Sequence, residues 1–334
     1  MKRLFCVLLI CFMTLVGCGE GDTPDTETST EAATTAAQSS DTQVETDSKP
    51  HSVLKVMSFN VYRNNINTTA KNNTEVSVVN TIYNRMNQLN DMLKGEDIDI
   101  AGFQELSETW RTYFGNKLHG DYAYVGAITR DTSEAGYIVY KKNKFEVLES
   151  GAFWLVDGAP TTYDKSQESN FDRMCSWAII KVKATGEIFI FMDTHLDTAD
   201  AARSKQATVI CAQTQALKNA AENRYGISSC PLILVGDMNS TNGSEPYLTL
   251  VSRLRDARKY SEGDTVDPTH STAGGFQCCE SEADVMKTSH VIDYIFVSRS
   301  ITVNNYKMIY ANTNLCPYGA YMSDHNAVIA QLTI

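Results

Sequence analysis

Four apolar runs in this chain each stop on a side chain that is costly to bury. VMSFN ends at Asn60, IAGFQE at Glu105, FIFMDTH at His195, and LILVGDMN at Asp237 and Asn239. Each run is short and rich in β-branched or aromatic residues, which reads as a strand. A carboxylate at the end of a buried strand is expensive to desolvate unless it is paired or bound to a cation. Separate strands that all deliver such groups predict one shared site at one edge of the sheets.

The strand reading covers Val53 to Tyr62, Ile98 to Gln104, Tyr137 to Lys141, Phe145 to Phe153, Ser176 to Val182, Ile188 to His195, Pro231 to Asp237, Val291 to Val297 and Ala327 to Ile334. Helical periodicity is clearest from Val79 to Leu93 and from Ala199 to Ala221, with Asp197, Thr198 and Asp200 as candidate caps of the second. Many strands with a few interleaved helices predict a mixed α/β layered domain.

The first eighteen residues differ in kind. Lys2 and Arg3 precede a short apolar run from Leu4 to Val16, and Leu15-Val16-Gly17-Cys18 closes it. Such a run is too short to span a bilayer comfortably and has the layout of a secretory signal. Its ending resembles the lipobox of bacterial lipoproteins, which implies cleavage before Cys18, lipid on that cysteine, and a position at the cell membrane facing the extracytoplasmic side. An ordinary signal peptide that happens to contain a cysteine, or an uncleaved anchor, is the plainer reading. Residues 19–52 are rich in Thr, Ser, Ala, Asp and Glu and hold no aromatic residue, a composition expected of a disordered tether. Eight acidic residues and one basic lie between Glu20 and Lys49.

Residues 53–334 form the remaining domain, with 26 basic and 32 acidic residues. That balance argues against a nucleic-acid binder working through a broad basic face, but is compatible with cations bridging to a substrate phosphate. Six cysteines fall here: Cys175, Cys211, Cys230, Cys278, Cys279 and Cys316. They would face a compartment where disulfides persist, and six allow 15 pairings, so connectivity is not readable. No two pairs have zinc-ligand spacing.

The order of the motifs is more specific than any one of them. SFNVY with Asn60, FQEL with Glu105, DTHLD with His195, GDMN with Asp237 and Asn239, VIDYIF with Asp293, and SDH with Asp324 and His325 follow one another over the whole domain. In this the chain resembles the endonuclease/exonuclease/phosphatase superfamily, the fold of deoxyribonuclease I. The resemblance implies a four-layer α-β-β-α sandwich of two packed mixed β-sheets with outer helices, and metal-assisted attack of water on phosphorus. It implies Glu105 as principal metal ligand, with Asn60 and Asp324 completing or supporting the shell. The ion would be Mg²⁺, with Mn²⁺ or Ca²⁺ as alternatives, since a hard cation takes oxygen ligands and neutralises phosphate. Asp237 and Asn239 would orient water and grip phosphoryl oxygens, and His195 and His325 would be the imidazoles of the site. Asp293 would pair with His325, and Glu134 with His195. Arg173, in FDRMCSWA, matches an arginine directed at phosphate. One departure stands out: nucleases nearest deoxyribonuclease I carry an arginine shortly after the catalytic Glu, whereas Leu106-Ser107-Glu108 follows Glu105 here.

Taken singly, Asn60 could be a strand-end cap, Glu105 a helix start, Asp237 a turn residue, Glu134 a surface loop acid and Arg173 a solvated strand end. The ordered set favours an exported phosphodiesterase or nuclease-like hydrolase, monomeric and joined to the membrane through its N-terminal lipid. An inositol-phosphate phosphatase or a sphingomyelinase-like phospholipase is the alternative, with a phosphate ester of nucleic acid or a lipid head group as partner. A surface binding lipoprotein without catalysis is the reading from another class.

Overall fold

The computed structural model describes residues 51–69, 77–128, 135–156, 169–263, 270–274, 290–310 and 322–334. One sheet takes the order β13 (Thr302–Ile309), β14 (Ala327–Thr333), β1 (Val53–Asn60), β4 (Ile100–Gln104), β6 (Ala135–Lys141), β5 (Tyr122–Ile128). The other runs β11 (Arg255–Asp256), β12 (Asp293–Val297), β10 (Leu232–Asp237), β9 (Ile188–His195), β8 (Met174–Val182), β7 (Phe145–Trp154). A small ribbon of β2 (Ile66–Thr69) and β3 (Ser77–Asn80) stands apart. Both sheets are mixed: β1 and β4 are parallel, as are β9 and β10, among otherwise antiparallel neighbours.

Side chains alternate along each strand, and the two faces find different partners. Leu54 and Val56 of β1 join Ile100, Phe191, Ile233, Val235 and Ile295 between the sheets. Met57 and Phe59 turn outward onto α1 (Ile82–Gly95) and α2 (Glu108–Lys117), against Met86, Leu89, Trp110 and Phe114. On the far side Leu232 and Leu234 pack with Ile210 of α3 (Asp200–Tyr225) and Leu250 of α4 (Glu245–Val251). The result is the expected four-layer α-β-β-α sandwich. Each fully buried Leu, Ile or Phe contributes about 1.5–3 kcal/mol.

The inward-facing row changes chemistry toward one edge. Val56 is followed on that face by Ser58 and Asn60, Phe191 by Asp193 and His195, and Val235 by Asp237, all buried. Because β1 and β4, and β9 and β10, run in the same direction, these polar ends emerge together. Register places Asp237 opposite His195 on one side and Asp293 on the other. Deeper in, the amide of Gln104 donates to Asp193 across the sheets at 2.6 Å.

The nine strands read from the sequence are β1, β4, β6 to β10, β12 and β14, and the two helices are α1 and α3. Thr81 caps α1, its hydroxyl accepting from Asn84 N–H. The expected caps of α3 do not act as its N-cap, which is Ala199, without a side-chain bond. Asp197 instead accepts the amides of Ala199, Asn170 and Phe171. Cys175, Cys211 and Cys230 are free thiols, and burial raises the pKa of each. Cys18, Cys278, Cys279 and Cys316 lie outside the described residues.

Candidate active site

The floor of the polar edge is built on Asn60. Its Nδ2 donates to Oε1 of Glu105 at 3.1 Å and to Oδ2 of Asp237 at 3.0 Å, so one amide ties the two sheets together. Its Oδ1 accepts the amide of Tyr62, and the amide of Arg63 donates to Oε2 of Glu105 at 3.2 Å. Glu105 has φ +62°, a left-handed conformation that costs a non-glycine residue about 1–3 kcal/mol. The chain leaves β4 through that kink before α2 begins.

Asp237 is the hub of the second sheet's contribution. Nε2 of His195 lies 3.4 Å and Nε2 of His325 3.7 Å from its Oδ2. Asn239, also left-handed at φ +46°, sends its main-chain amide to Oδ1 of Asp237 and its Nδ2 to Leu196 O, with that nitrogen 3.0 Å from His195 Nε2. Burial disfavours the Asp237 carboxylate, but His195 and His325 hold its pKa below the usual value. His325 bonds Oδ2 of Asp293 through Nδ1 at 2.8 Å. Against the burial that disfavours its charge, Asp293 and then Asp237 carry the His325 pKa up to about 10. Burial pushes the Asp293 carboxyl up to about 6, so at neutral pH a charged imidazolium faces an ionised acid.

Among the described residues, ligand-type atoms of Asp237, Asp293 and His325 lie within 4.8 Å of one another. A protonated His325 already offsets one of the two carboxylate charges of that group and has no free lone pair to give, which makes it a poor first choice for a cation. Glu105 and Asp324 differ. Burial raises the Asp324 pKa, and the Glu105 charge raises it further while His325 opposes. Two acids that repel one another beside an amide suit a hard cation with oxygen ligands. Glu105 and Asp324, with Asn60 in support, therefore fit the metal that the sequence implies.

Arg173 is buried and lines a small cavity with His195, Thr194, Gln104 and Gly136. Its guanidinium also lies over the ring of Phe171, 4.9 Å from the centroid. Glu134 lies outside the described residues. Three supporting residues escaped the sequence reading. Ser323 donates to Asn60 O at 2.6 Å and receives the His325 amide, joining β1 to the SDH segment. Thr272 Oγ1 receives the amides of Ile292 and Asp293. Arg85 lies wholly buried on α1, where the stripe Ile82, Met86, Leu89 and Leu93 predicts an apolar residue. A lone charge on an apolar helical stripe was the available signal.

The profile of the Endonuclease/Exonuclease/phosphatase family matches residues 57–325, and the chain belongs to that family. Among solved structures, an endonuclease/exonuclease/phosphatase family protein from Bacteroides thetaiotaomicron is 26% identical, covering 85% of this chain and 99% of its own, with a TM-score of 0.66. A mannosyl-6-phosphatase from the same organism is 25% identical over 84% of this chain and 100% of its own, with a TM-score of 0.66. The human nocturnin catalytic domain with bound sulfate shares the fold at 17% identity, covering 85% and 97%, with a TM-score of 0.58. No curated protein sequence matches.

Proposed function

We propose that the domain is a divalent-metal-dependent hydrolase of small phosphate esters. One observation carries the reading: two imidazoles converge on a carboxylate oxygen of Asp237, which Asn60 ties to Glu105. Glu105 and Asp324, with Asn60 in support, would hold the cation, which would supply neutralisation of phosphate charge. Mg²⁺ is the first choice, Mn²⁺ and Ca²⁺ the alternatives. Asp237 orients the attacking water and takes its proton, with Asn239 fixing the carboxylate. The protonated His325 donates toward the phosphoryl group, and Asp293 holds the ring in place through Nδ1. His195 and Arg173 complete the phosphate contacts.

A phosphomonoester of a sugar is the leading substrate class within this reading, supported by the likeness to the mannosyl-6-phosphatase. Inositol phosphates and sphingomyelin come next, and nucleic acid last. The test is a panel of these substrates assayed on the full chain with each cation and with chelator. Turnover that survives chelation, or normal turnover in a folded Glu105→Gln variant, would refute the metal assignment.

The N-terminal sequence supports export and lipid attachment at Cys18. In a bacterial host, Cys18→Ser should abolish incorporation of labelled fatty acid. Unchanged labelling would show that Cys18 is not the anchor.

A further inference from the structure

Arg85 occupies a position that its helix reserves for an aliphatic side chain, and desolvating a guanidinium there is costly. Each of its three nitrogens donates to a main-chain carbonyl. Nε donates to Met322 O at 2.7 Å, Nη1 to Asn64 O, and Nη2 to Val61 O and to Tyr62 O, the last at 2.7 Å. The Trp110 ring flanks the guanidinium with its centroid at 4.9 Å, and Trp110 Nε1 donates to the same Tyr62 carbonyl at 3.0 Å. One side chain thus gathers three carbonyls of the turn after β1 and one just before Asp324.

Those two segments carry or touch the residues assigned to the cation. The Tyr62 amide fixes Asn60, the Arg63 amide fixes Glu105, and Ser323, next to Met322, binds Asn60 O. Arg85 also lies near enough to Asp324 and Glu105 to interact with both charges. A planar fork with five N–H groups can span four carbonyls from two segments, whereas a lysine ammonium has three donors and no plane.

We propose that Arg85 is the positioning residue of the cation site, locking the turn at 61–64 to the segment 322–324 so that Asn60, Glu105 and Asp324 stand in place before a cation arrives. This inference rests on the metal reading above. Arg85 is wholly buried and bonded to main-chain carbonyls, so it acts through the ligands. Its effect is on the geometry and charge of the ligands, and loss of such a supporting partner typically weakens metal binding 10- to 100-fold.

The test measures Mn²⁺ binding without substrate, by calorimetry and electron paramagnetic resonance, for the wild type and Arg85→Lys. The lysine variant keeps the charge but cannot span the four carbonyls. Folded by circular dichroism, it should bind Mn²⁺ about tenfold or more weakly, and excess Mn²⁺ should restore most of its turnover. Wild-type affinity in folded Arg85→Lys would overturn the inference while leaving the metal reading intact. No Mn²⁺ binding by the wild type itself would overturn both. A second measurement does not depend on the variant folding. In chelator, the wild-type amides of Tyr62 and Arg63 should already be protected from hydrogen exchange. Protection that appears only on adding cation would mean that the ion, and not Arg85, orders the turn.

Discussion

Nε2 of His325 lies 3.7 Å from Oδ2 of Asp237, the same oxygen that stands 3.4 Å from Nε2 of His195. A carboxylate from the middle of one sheet is therefore shared by two imidazoles that reach it from β9 and from the SDH segment. If both histidines act on a common phosphoryl group, neither can replace the other. His195→Ala and His325→Ala should each lower turnover by about a hundredfold or more, the range for positioned acid–base groups. Circular dichroism of both variants should stay close to wild type, with His325→Ala melting lower because it loses its charged pair with Asp293. A large loss of folded protein with normal turnover per folded molecule would make both residues structural.

The charge on His325 gives a pH signature. Its pKa in the folded chain, about 10, lies above the ordinary 6.5, so the stabilisation is complete below pH 6.5 and lost as pH rises through about 10. The carboxylates of Asp293 and Asp237 outweigh burial in producing it. In chelator, the melting temperature of the wild type should exceed that of His325→Gln most clearly near neutrality, and the gap should close toward pH 10. A gap that widens with alkali would mean that the ring is neutral in the fold.

Much of this site is legible in the sequence because it consists of strand ends. Asn60, His195 and Asp237 continue the alternation of Val56, Phe191 and Val235, so periodicity alone assigns them to the inner face. Elements whose signals are local and strong were equally readable. β13 was not: Asn304 and Asn305 interrupt its apolar pattern, and its register shifts between Val303 and Asn305. α2 buries only Trp110 and Phe114, too brief a stripe to show a period. Asp197 looks like a cap for α3, but its other partners, the amides of Asn170 and Phe171, are 27 and 26 residues away along the chain. Such a contact exists only once the chain has folded.

Gly236 shows why the Asp237 strand needs a glycine. Its φ is +153°, and a Cβ there would fall 2.0 Å from the carbonyl oxygen of Thr194 on the parallel strand β9. That atom is backbone and cannot move aside without opening the β9–β10 ladder that registers Asp237 with His195. Gly236→Ala should cost about 3 kcal/mol or more, lowering the melting temperature by roughly 6 °C or more for a domain of this size. A wild-type melting curve would show that the two strands can separate freely at this point.

The last prediction concerns substrate size. Where nucleases nearest deoxyribonuclease I place an arginine after the catalytic Glu, Leu106 is buried, Ser107 donates to Arg63 O, and Glu108 pairs with Arg111. No cation is offered by those three positions, and Arg111 is further engaged by the Tyr137 hydroxyl at 3.0 Å. The domain from Val53 carries 26 basic and 32 acidic residues, so it lacks the field that draws long nucleic acid in a steep, salt-dependent manner. Arg173, buried beside His195, leaves a grip suited to one phosphate and not to a run of them. Sugar phosphates or inositol phosphates should therefore be hydrolysed faster than supercoiled plasmid, assayed side by side at near-physiological salt. Rates on the small esters should change little between low and moderate salt, because a single buried contact releases few counterions. Rapid nicking of duplex plasmid at catalytic enzyme amounts, with rates falling steeply as salt rises, would show that the chain builds its nucleic-acid contacts elsewhere on the surface.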